Sequence, residues 1–223
     1  MPAKGKSQGD ISTPVVRRLP RYYRYLSDLL KCGVMRISSL EMSRSLGFTP
    51  SQIRQDLSKF GGFGQQGYGY NVELLQGEIG KIIGVGLSYK CILVGVGNMG
   101  HALANHIPFN KLGFSLTGIF DKNPAIIGHK INGLTVLSVD DLEVFTEKHK
   151  PRVAILAIPP DYAVEMAERL LDCGIVGFWS FTNVELPVEG RAVVEYVHLS
   201  DSLMTLCYSL REKEDMYSRQ TEK

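Results

Sequence analysis

The sequence predicts an α/β chain in two parts, a small basic helical module ending in a β-hairpin and then a doubly wound parallel sheet. Three observations carry this. Residues 1–71 hold eleven Lys/Arg against four Asp/Glu, whereas the whole chain is only +2, so the remainder is net negative. Two short helix signals flank a glycine and run into glycines interleaved with aromatics. Strand and helix patterns then alternate from Lys90 onward, as in a parallel sheet.

Residues Leu19, Tyr22, Tyr23, Leu26, Leu29 and Leu30 recur at helical spacing, and Gly33 ends that helix. Ser38 and Glu41 form a capping box, and Gly47 punctuates the short helix that follows. Thr49 caps the next helix, Pro50 suits its first position, and Gln52 completes a second capping box. Two short helices joined by a glycine turn make a helix-turn-helix. On the second of these helices, Ile53, Leu57 and Phe60 share one stripe and are expected to face the core. Ser51, Gln55 and Ser58 lie opposite, flanked by Arg54 and Lys59. That face suits a recognition helix, because Gln and Arg pair with base edges in the major groove. Residues 60–70 carry glycines between Phe60, Phe63, Tyr68 and Tyr70. After a helix-turn-helix this pattern predicts a wing, the alternative being a glycine-rich linker. Residues 72–88 read as a connecting helix and loop. The polyanion such a basic winged helix would bind is double-stranded DNA.

From Lys90 the chain alternates. Lys90–Val94 is a buried strand that leads directly into Gly95-Val96-Gly97-Asn98-Met99-Gly100 and a helix. Phe114–Phe120 is a second strand, ending at Asp121. Val153–Ile158 is a third, followed by Pro159-Pro160 and a helix to Cys173. Val176–Phe181 and Val193–Val197 read as further strands. Between a strand and a helix, Gly-x-Gly-x-x-Gly has the context a dinucleotide needs. Gly95 permits the tight turn, Gly97 lets a pyrophosphate approach the backbone, and Gly100 allows close helix–strand packing. The free N–H groups of the helix start then face the phosphates. Asp121 is placed to accept from ribose hydroxyls and to repel a 2′-phosphate, which favours NAD over NADP, although Lys122 beside it counters that effect. Ser200 can cap a last helix with Leu203, Leu206, Cys207 and Leu210 on one stripe, docked on its own domain or on a second subunit.

Other function classes have less support. Cys32, Cys91, Cys173 and Cys207 are scattered, without the spacing of a metal knuckle or redox dithiol. Residues 1–10 are polar and basic, and no apolar run approaches a membrane span, so a soluble, cytoplasmic protein without a membrane partner is expected. A dehydrogenase needs a proton-transfer residue and a substrate pocket. His101, His106, His129, His149 and His198 lie in no recognisable catalytic motif, so no enzyme activity is expected.

A winged helix before a dinucleotide fingerprint resembles the Rex family of redox-sensing repressors, from about Arg18 to Leu210. The resemblance is most specific at residues 18–24, at 53–61, at Gly67-Tyr68-Gly69-Tyr70 and at Gly95–Gly100. It implies domains at 1–80 (winged helix) and 85–199 (Rossmann, NAD(H)-binding), with a terminal helix at 200–223 swapped between the subunits of a homodimer. It also implies release from operator DNA when NADH binds. The implied DNA contacts are Arg17, Arg18, Arg21, Ser51, Arg54, Gln55, Ser58, Lys59, Gln65, Gln66 and Tyr68. The implied nucleotide contacts are Gly95–Gly100, Asp121, Lys122, Ala157, Ile158, Pro159, Phe181 and Thr182. The chain departs from the family pattern at Gln65 and Gln66, where Lys or Arg is usual, and at Ser180-Phe181-Thr182-Asn183. The family also links an Arg of the first helix to a Tyr and an Asp. Arg24 matches, but His106 and His198 stand where the Tyr and the Asp are expected. A repressor with structurally bound NAD(H) and little redox response, and a small NAD-dependent oxidoreductase, remain as alternatives.

Overall fold

Apolar residues at helical spacing set the first element. In α1 (Thr13–Lys31) the buried residues are Val15, Leu19, Tyr22 and Leu26, and Pro14 occupies the first turn, where its missing N–H costs nothing. The computed structural model describes residues 11–60, 64–65 and 68–221, without the side chains of 64–65 and 219–221. The chain divides into two compact units, Met1–Leu87 and Ser88–Lys223.

In the first unit a short strand β1 (Arg36–Ile37) precedes α2 (Ser39–Leu46) and α3 (Pro50–Ser58). The expected capping box at α2 is made in full: Ser38 Oγ accepts from the Glu41 N–H, and Glu41 Oε2 accepts from the Ser38 N–H. The second box is only half made. Thr49 Oγ1 accepts from the Gln52 N–H at 3.2 Å, but the Gln52 amide turns away to Asp56. Two further strands, β2 (Gly64–Gln65) and β3 (Gly69–Asn71), form the expected hairpin, and β1 pairs with β3 to give an antiparallel sheet of order β1-β3-β2. Gly69 lies at φ +71°, and a Cβ there would sit 2.5 Å from the Ile37 carbonyl oxygen, so the wing strand closes on β1 only as glycine. Gly61, Gly62, Phe63, Gln66 and Gly67 of the expected wing lie outside the described residues. The connecting segment is α4 (Val72–Ile83), which buries Val72, Leu75 and Ile79 in a core shared with α1.

The second unit is built on strands β4 (Tyr89–Val94), β5 (Phe114–Asp121), β6 (Lys130–Ile131), β7 (Leu134–Ser138), β8 (Val153–Leu156), β9 (Gly177–Ser180) and β10 (Val193–Tyr196). Their order is β10-β9-β8-β4-β5-β7-β6, parallel throughout except for the β6–β7 hairpin. Without β6 this is the doubly wound Rossmann order. Alternating residues of the central strands face two cores. Ile92, Val94, Phe120 and Leu156 pack with α6 (Leu142–His149) and α7 (Ala163–Asp172). Cys91, Leu93, Ile119 and Ile155 pack with α5 (Asn98–His106). The last helix, α8 (Leu199–Thr221), starts one residue before the expected cap at Ser200, and its described side chains are all exposed.

Asp56 is the one buried carboxylate among the described residues. Helical spacing on α1 stacks Arg18 and Tyr22 above it. Arg18 donates twice, Nε to Oδ2 at 2.7 Å and Nη2 to Oδ1 at 2.8 Å; the Tyr22 hydroxyl donates to Oδ2 at 2.8 Å, and Gln52 Nε2 donates to Oδ1 at 2.9 Å. Burial alone would push this carboxyl up, but the Arg18, Tyr22 and Gln52 hydrogen bonds outweigh it and hold Asp56 below the ordinary carboxylate range. Burial and the Asp56 charge push the Tyr22 hydroxyl up, so it stays a donor. The three bonds from Arg18 and Tyr22 fix α3 on α1, while the Gln52 bond, within α3, completes the carboxylate's set. Removing one partner of a buried ion pair strands the other, at a cost of about 3 kcal/mol, the low end of the range because Arg18 reaches solvent. Asp56→Ala should therefore lower the thermal stability of the first unit. Because the folded carboxyl is held down, its contribution is full above the unfolded value near about 4 and fades as pH falls through the lower folded value. Differential scanning calorimetry from pH 7 to 3 should show the gap between parent and variant closing on acidification, and a constant gap would contradict the assignment.

Candidate functional site

Each unit carries one candidate site. In the first, burial of Ile53, Asp56 and Leu57 turns the opposite face of α3 outward, and Ser51, Arg54, Gln55, Ser58 and Lys59 are all exposed. Arg54 Nη1 donates to Ser39 Oγ on α2 at 3.1 Å, which ties the two helices of the motif. Asp56 points inward, so the outward face of α3 carries two cations and no carboxylate.

The flanking residues divide. Arg17 and Arg24 are exposed on α1. Arg18, grouped by sequence with the DNA contacts, is instead bound to Asp56 and positions α3. Arg21 is exposed but anchored: Nη2 donates to the Leu46 carbonyl at 2.9 Å, and the guanidinium lies 4.6 Å from the Phe48 ring centroid. Tyr68 is 70% exposed at the wing. Arg36, which sequence reasoning missed, donates from Nη1 to the Tyr68 carbonyl at 3.5 Å, with its guanidinium 5.9 Å from the Tyr68 ring. Arg36 belongs to β1 and reaches the wing only through the β1–β3 pairing, 32 residues along the chain, so no local signal marked it. The Gln65 side chain and all of Gln66 lie outside the described residues.

In the second unit a cavity of about 560 Å³ opens where β4 and β8 end side by side. Strand order reverses direction there, and open α/β sheets bind ligands at such a switch point. Gly95 (φ +94°) turns the chain out of β4, and a Cβ there would lie 2.4 Å from the Ala157 carbonyl oxygen. Gly100 packs its Cα on the Gly95 carbonyl, where a Cβ would sit 1.9 Å from the oxygen. Gly97 differs: a Cβ there would meet no atom within 4 Å, so it would fill open space. Gly97 is also the N-cap of α5 and brings no side chain to cover the helix's first N–H groups.

The cavity is lined by Gly95, Gly97, Asn98, Met99, Asp121, Lys122, Ala157, Ile158 and Pro159, all expected, and by Tyr162, Glu165, Met166 and Arg169 from the segment after β8, which sequence reasoning missed. Asp121 Oδ2 accepts from the Val96 N–H at 2.6 Å and Oδ1 from the Asn123 N–H at 2.8 Å, which fixes the carboxylate beside the glycine turn. Each oxygen keeps a lone pair for a further donor. Val96 and Gly100 are buried and support the turn rather than line the cavity. Phe181 and Thr182 are not among the lining residues: Thr182 is buried with its hydroxyl 2.8 Å from Ser180 Oγ, and Phe181 packs edge-on against Trp179. His106 is exposed at the end of α5, and His198 Nδ1 lies 3.1 Å from Asn183 Oδ1.

Residues 10–58 match the family described as "Putative DNA-binding protein N-terminus", and residues 87–184 match "CoA binding domain". The chain is 50% identical over 204 residues to the redox-sensing transcriptional repressor Rex of Thermoanaerobacter sp. (strain X514), covering 92% of this chain and 91% of that protein. It is 51% identical over 203 residues to the Rex of Clostridioides difficile (strain 630), covering 91% and 97%. The chain belongs to the Rex family. Among solved Rex-family structures, RSP in complex with β-NAD⁺ and operator DNA superposes with a TM-score of 0.83 at 49% identity, covering 96% of this chain and 98% of that one. RSP in complex with β-NADH superposes with a TM-score of 0.85 at 46% identity, covering 96% and 99%.

The Gly97 geometry separates folding from binding. Its φ of −65° is open to any residue, and a side chain would enter the cavity rather than protein. Gly97→Val should keep a melting temperature close to the parent's and lose at least roughly tenfold in NADH affinity. Calorimetric titration beside a thermal melt checks this; unchanged affinity would place the nucleotide elsewhere.

Proposed function

We propose that this chain is a transcriptional repressor that binds double-stranded operator DNA and responds to the NADH/NAD⁺ ratio, NADH favouring release. One observation carries the reading. A cavity floored by Gly97 and flanked by Asp121 occurs in one chain with a helix-turn-helix whose second helix turns a carboxylate-free face outward, in a family with a solved member that holds β-NAD⁺ and operator DNA together. Residues 1–80 would read DNA. Arg54 and Gln55 would meet base edges, and Ser51, Ser58, Lys59, Arg17, Arg21, Tyr68, Gln65 and Gln66 would hold phosphates and the groove. Residues 85–199 would hold NAD(H), with the pyrophosphate over Gly97 and the start of α5 and a ribose at Asp121. No bond is made or broken in this role, so the chain acts as a sensor and not as an enzyme. Its place is the cytoplasm, with the DNA; among the described residues no helix is long and apolar enough to cross a membrane.

The working unit in this reading is a homodimer. An apolar groove of about 450 Å³ on the second unit is lined by residues that include Ile107, Phe109, Phe114, Trp179 and Val193. On α8, Leu203, Leu206 and Leu210 recur on one stripe, each at least half exposed. Residues 200–223 of the partner would cover that groove, since an exposed apolar stripe of this kind marks an interface. Arg24, His106 and His198 take the places of the family's interdomain switch. Histidine in place of a carboxylate weakens the attraction to Arg24, which favours a smaller NADH response than in relatives with Asp.

Titration of operator binding with NADH and with NAD⁺ tests the reading. NADH should weaken operator binding by severalfold or more while NAD⁺ does not, because a ligand shifts the equilibrium only by its differential affinity for the two states. Arg54→Ala should cost roughly 1–3 kcal/mol of operator affinity with NADH affinity unchanged. Leu203→Glu with Leu206→Glu should sediment as a monomer, and His198→Asp should enlarge the NADH effect. Operator affinity indifferent to both nucleotides would leave only structural NAD(H) binding, and a parent that ignores operator DNA would end the proposal.

A further inference from the structure

Lys122 is the residue whose sequence neighbourhood conflicts with NAD specificity. It follows Asp121 at the end of β5, beside the carboxylate that would meet the ribose hydroxyls. A cation near this point in a Rossmann domain accommodates a 2′-phosphate. Asp121 and Lys122 side by side therefore pull in opposite directions between NAD(H) and NADP(H).

The ammonium is held elsewhere. Lys122 Nζ sits 3.4 Å from the centroid of the Tyr162 ring, well within cation–π range. Tyr162 closes a short 3-10 turn, Pro160–Tyr162, directly after β8, and lines the same cavity. Pro159 and Pro160 restrict the backbone entering that turn, which limits where Tyr162 can be carried. Tyr162 is 45% exposed, and its removal leaves no hole in the core.

We propose that Tyr162 is a specificity-determining residue: by holding the Lys122 ammonium on its ring, it keeps that cation away from the ribose and leaves Asp121 to reject NADP(H). This rests on the reading of the cavity as an NAD(H) site. Without the ring, Lys122 would swing free, and its charge would offset Asp121 and attract a 2′-phosphate.

The test is the ratio of NADPH to NADH dissociation constants, measured by calorimetry on the full-length protein for the parent, Tyr162→Leu, Tyr162→Phe, Lys122→Ala and the Tyr162→Leu/Lys122→Ala double variant. Tyr162→Leu should lower the ratio by at least about fivefold, since it frees the charge. Tyr162→Phe keeps a π face and should stay within about twofold of the parent. Lys122→Ala should also leave the ratio near the parent's, because the charge it removes is already withheld, and the double variant should restore the parental ratio. An unchanged ratio in Tyr162→Leu, a double variant that behaves like Tyr162→Leu, or a marked shift in Lys122→Ala alone would each overturn the proposal. A parent that binds no NADH would instead remove the reading on which it rests.

Discussion

The contact of Gly100 on the Gly95 carbonyl is the constraint from which the second unit's site follows. With no room for even one carbon between them, α5 can begin only where it does, hard against the end of β4. That closeness leaves Gly97 at the helix start facing open space and brings Val96 within hydrogen-bond reach of Asp121 on the neighbouring strand. The sheet order then supplies the rest. Because β5 and β8 lie on opposite sides of β4, the segments after them, bearing Lys122 and Tyr162, reach the same cavity from two sides.

The first unit solves its presentation problem with charge instead of backbone contact. A helix of nine residues has little stability of its own, and its outward face must stay free for a ligand. Asp56 anchors α3 from its inner side through three hydrogen bonds from Arg18 and Tyr22 of α1, and Gly69 closes the wing against β1. Neither device uses a residue of the outward face, so affinity for DNA can change there without loss of the fold. The identity to relatives named as repressors spans both units.

What the sequence revealed and what it hid follow from range. The caps at Ser38 and Thr49, the glycine fingerprint and Asp121 at the end of its strand are local rules of spacing, and each stands where local reasoning placed it. The inward turn of Asp56 was hidden because its partners lie 34 and 38 residues earlier, and the same distance hid the ion pair that Arg18 makes with it. Tyr162 and Arg169 entered the cavity unannounced for the same reason, since only the sheet order sets the ends of β5 and β8 on either side of β4. The β6–β7 hairpin was legible and missed: Asn132-Gly133, both at positive φ, is a strong two-residue turn signal. The reach of Phe181 and Thr182 came from resemblance alone, and their packing against Trp179 and Ser180 keeps them from the cavity lining.

In the proposed function the nucleotide cavity and the recognition helix belong to one coupled equilibrium. Linkage makes that coupling reciprocal: whatever factor NADH takes from operator affinity, operator DNA must take from NADH affinity. The direct measurement is the NADH dissociation constant with and without saturating operator duplex. NADH should bind more weakly in the presence of operator, by the same factor that NADH imposes on operator binding. Equal NADH affinity with and without operator would contradict it.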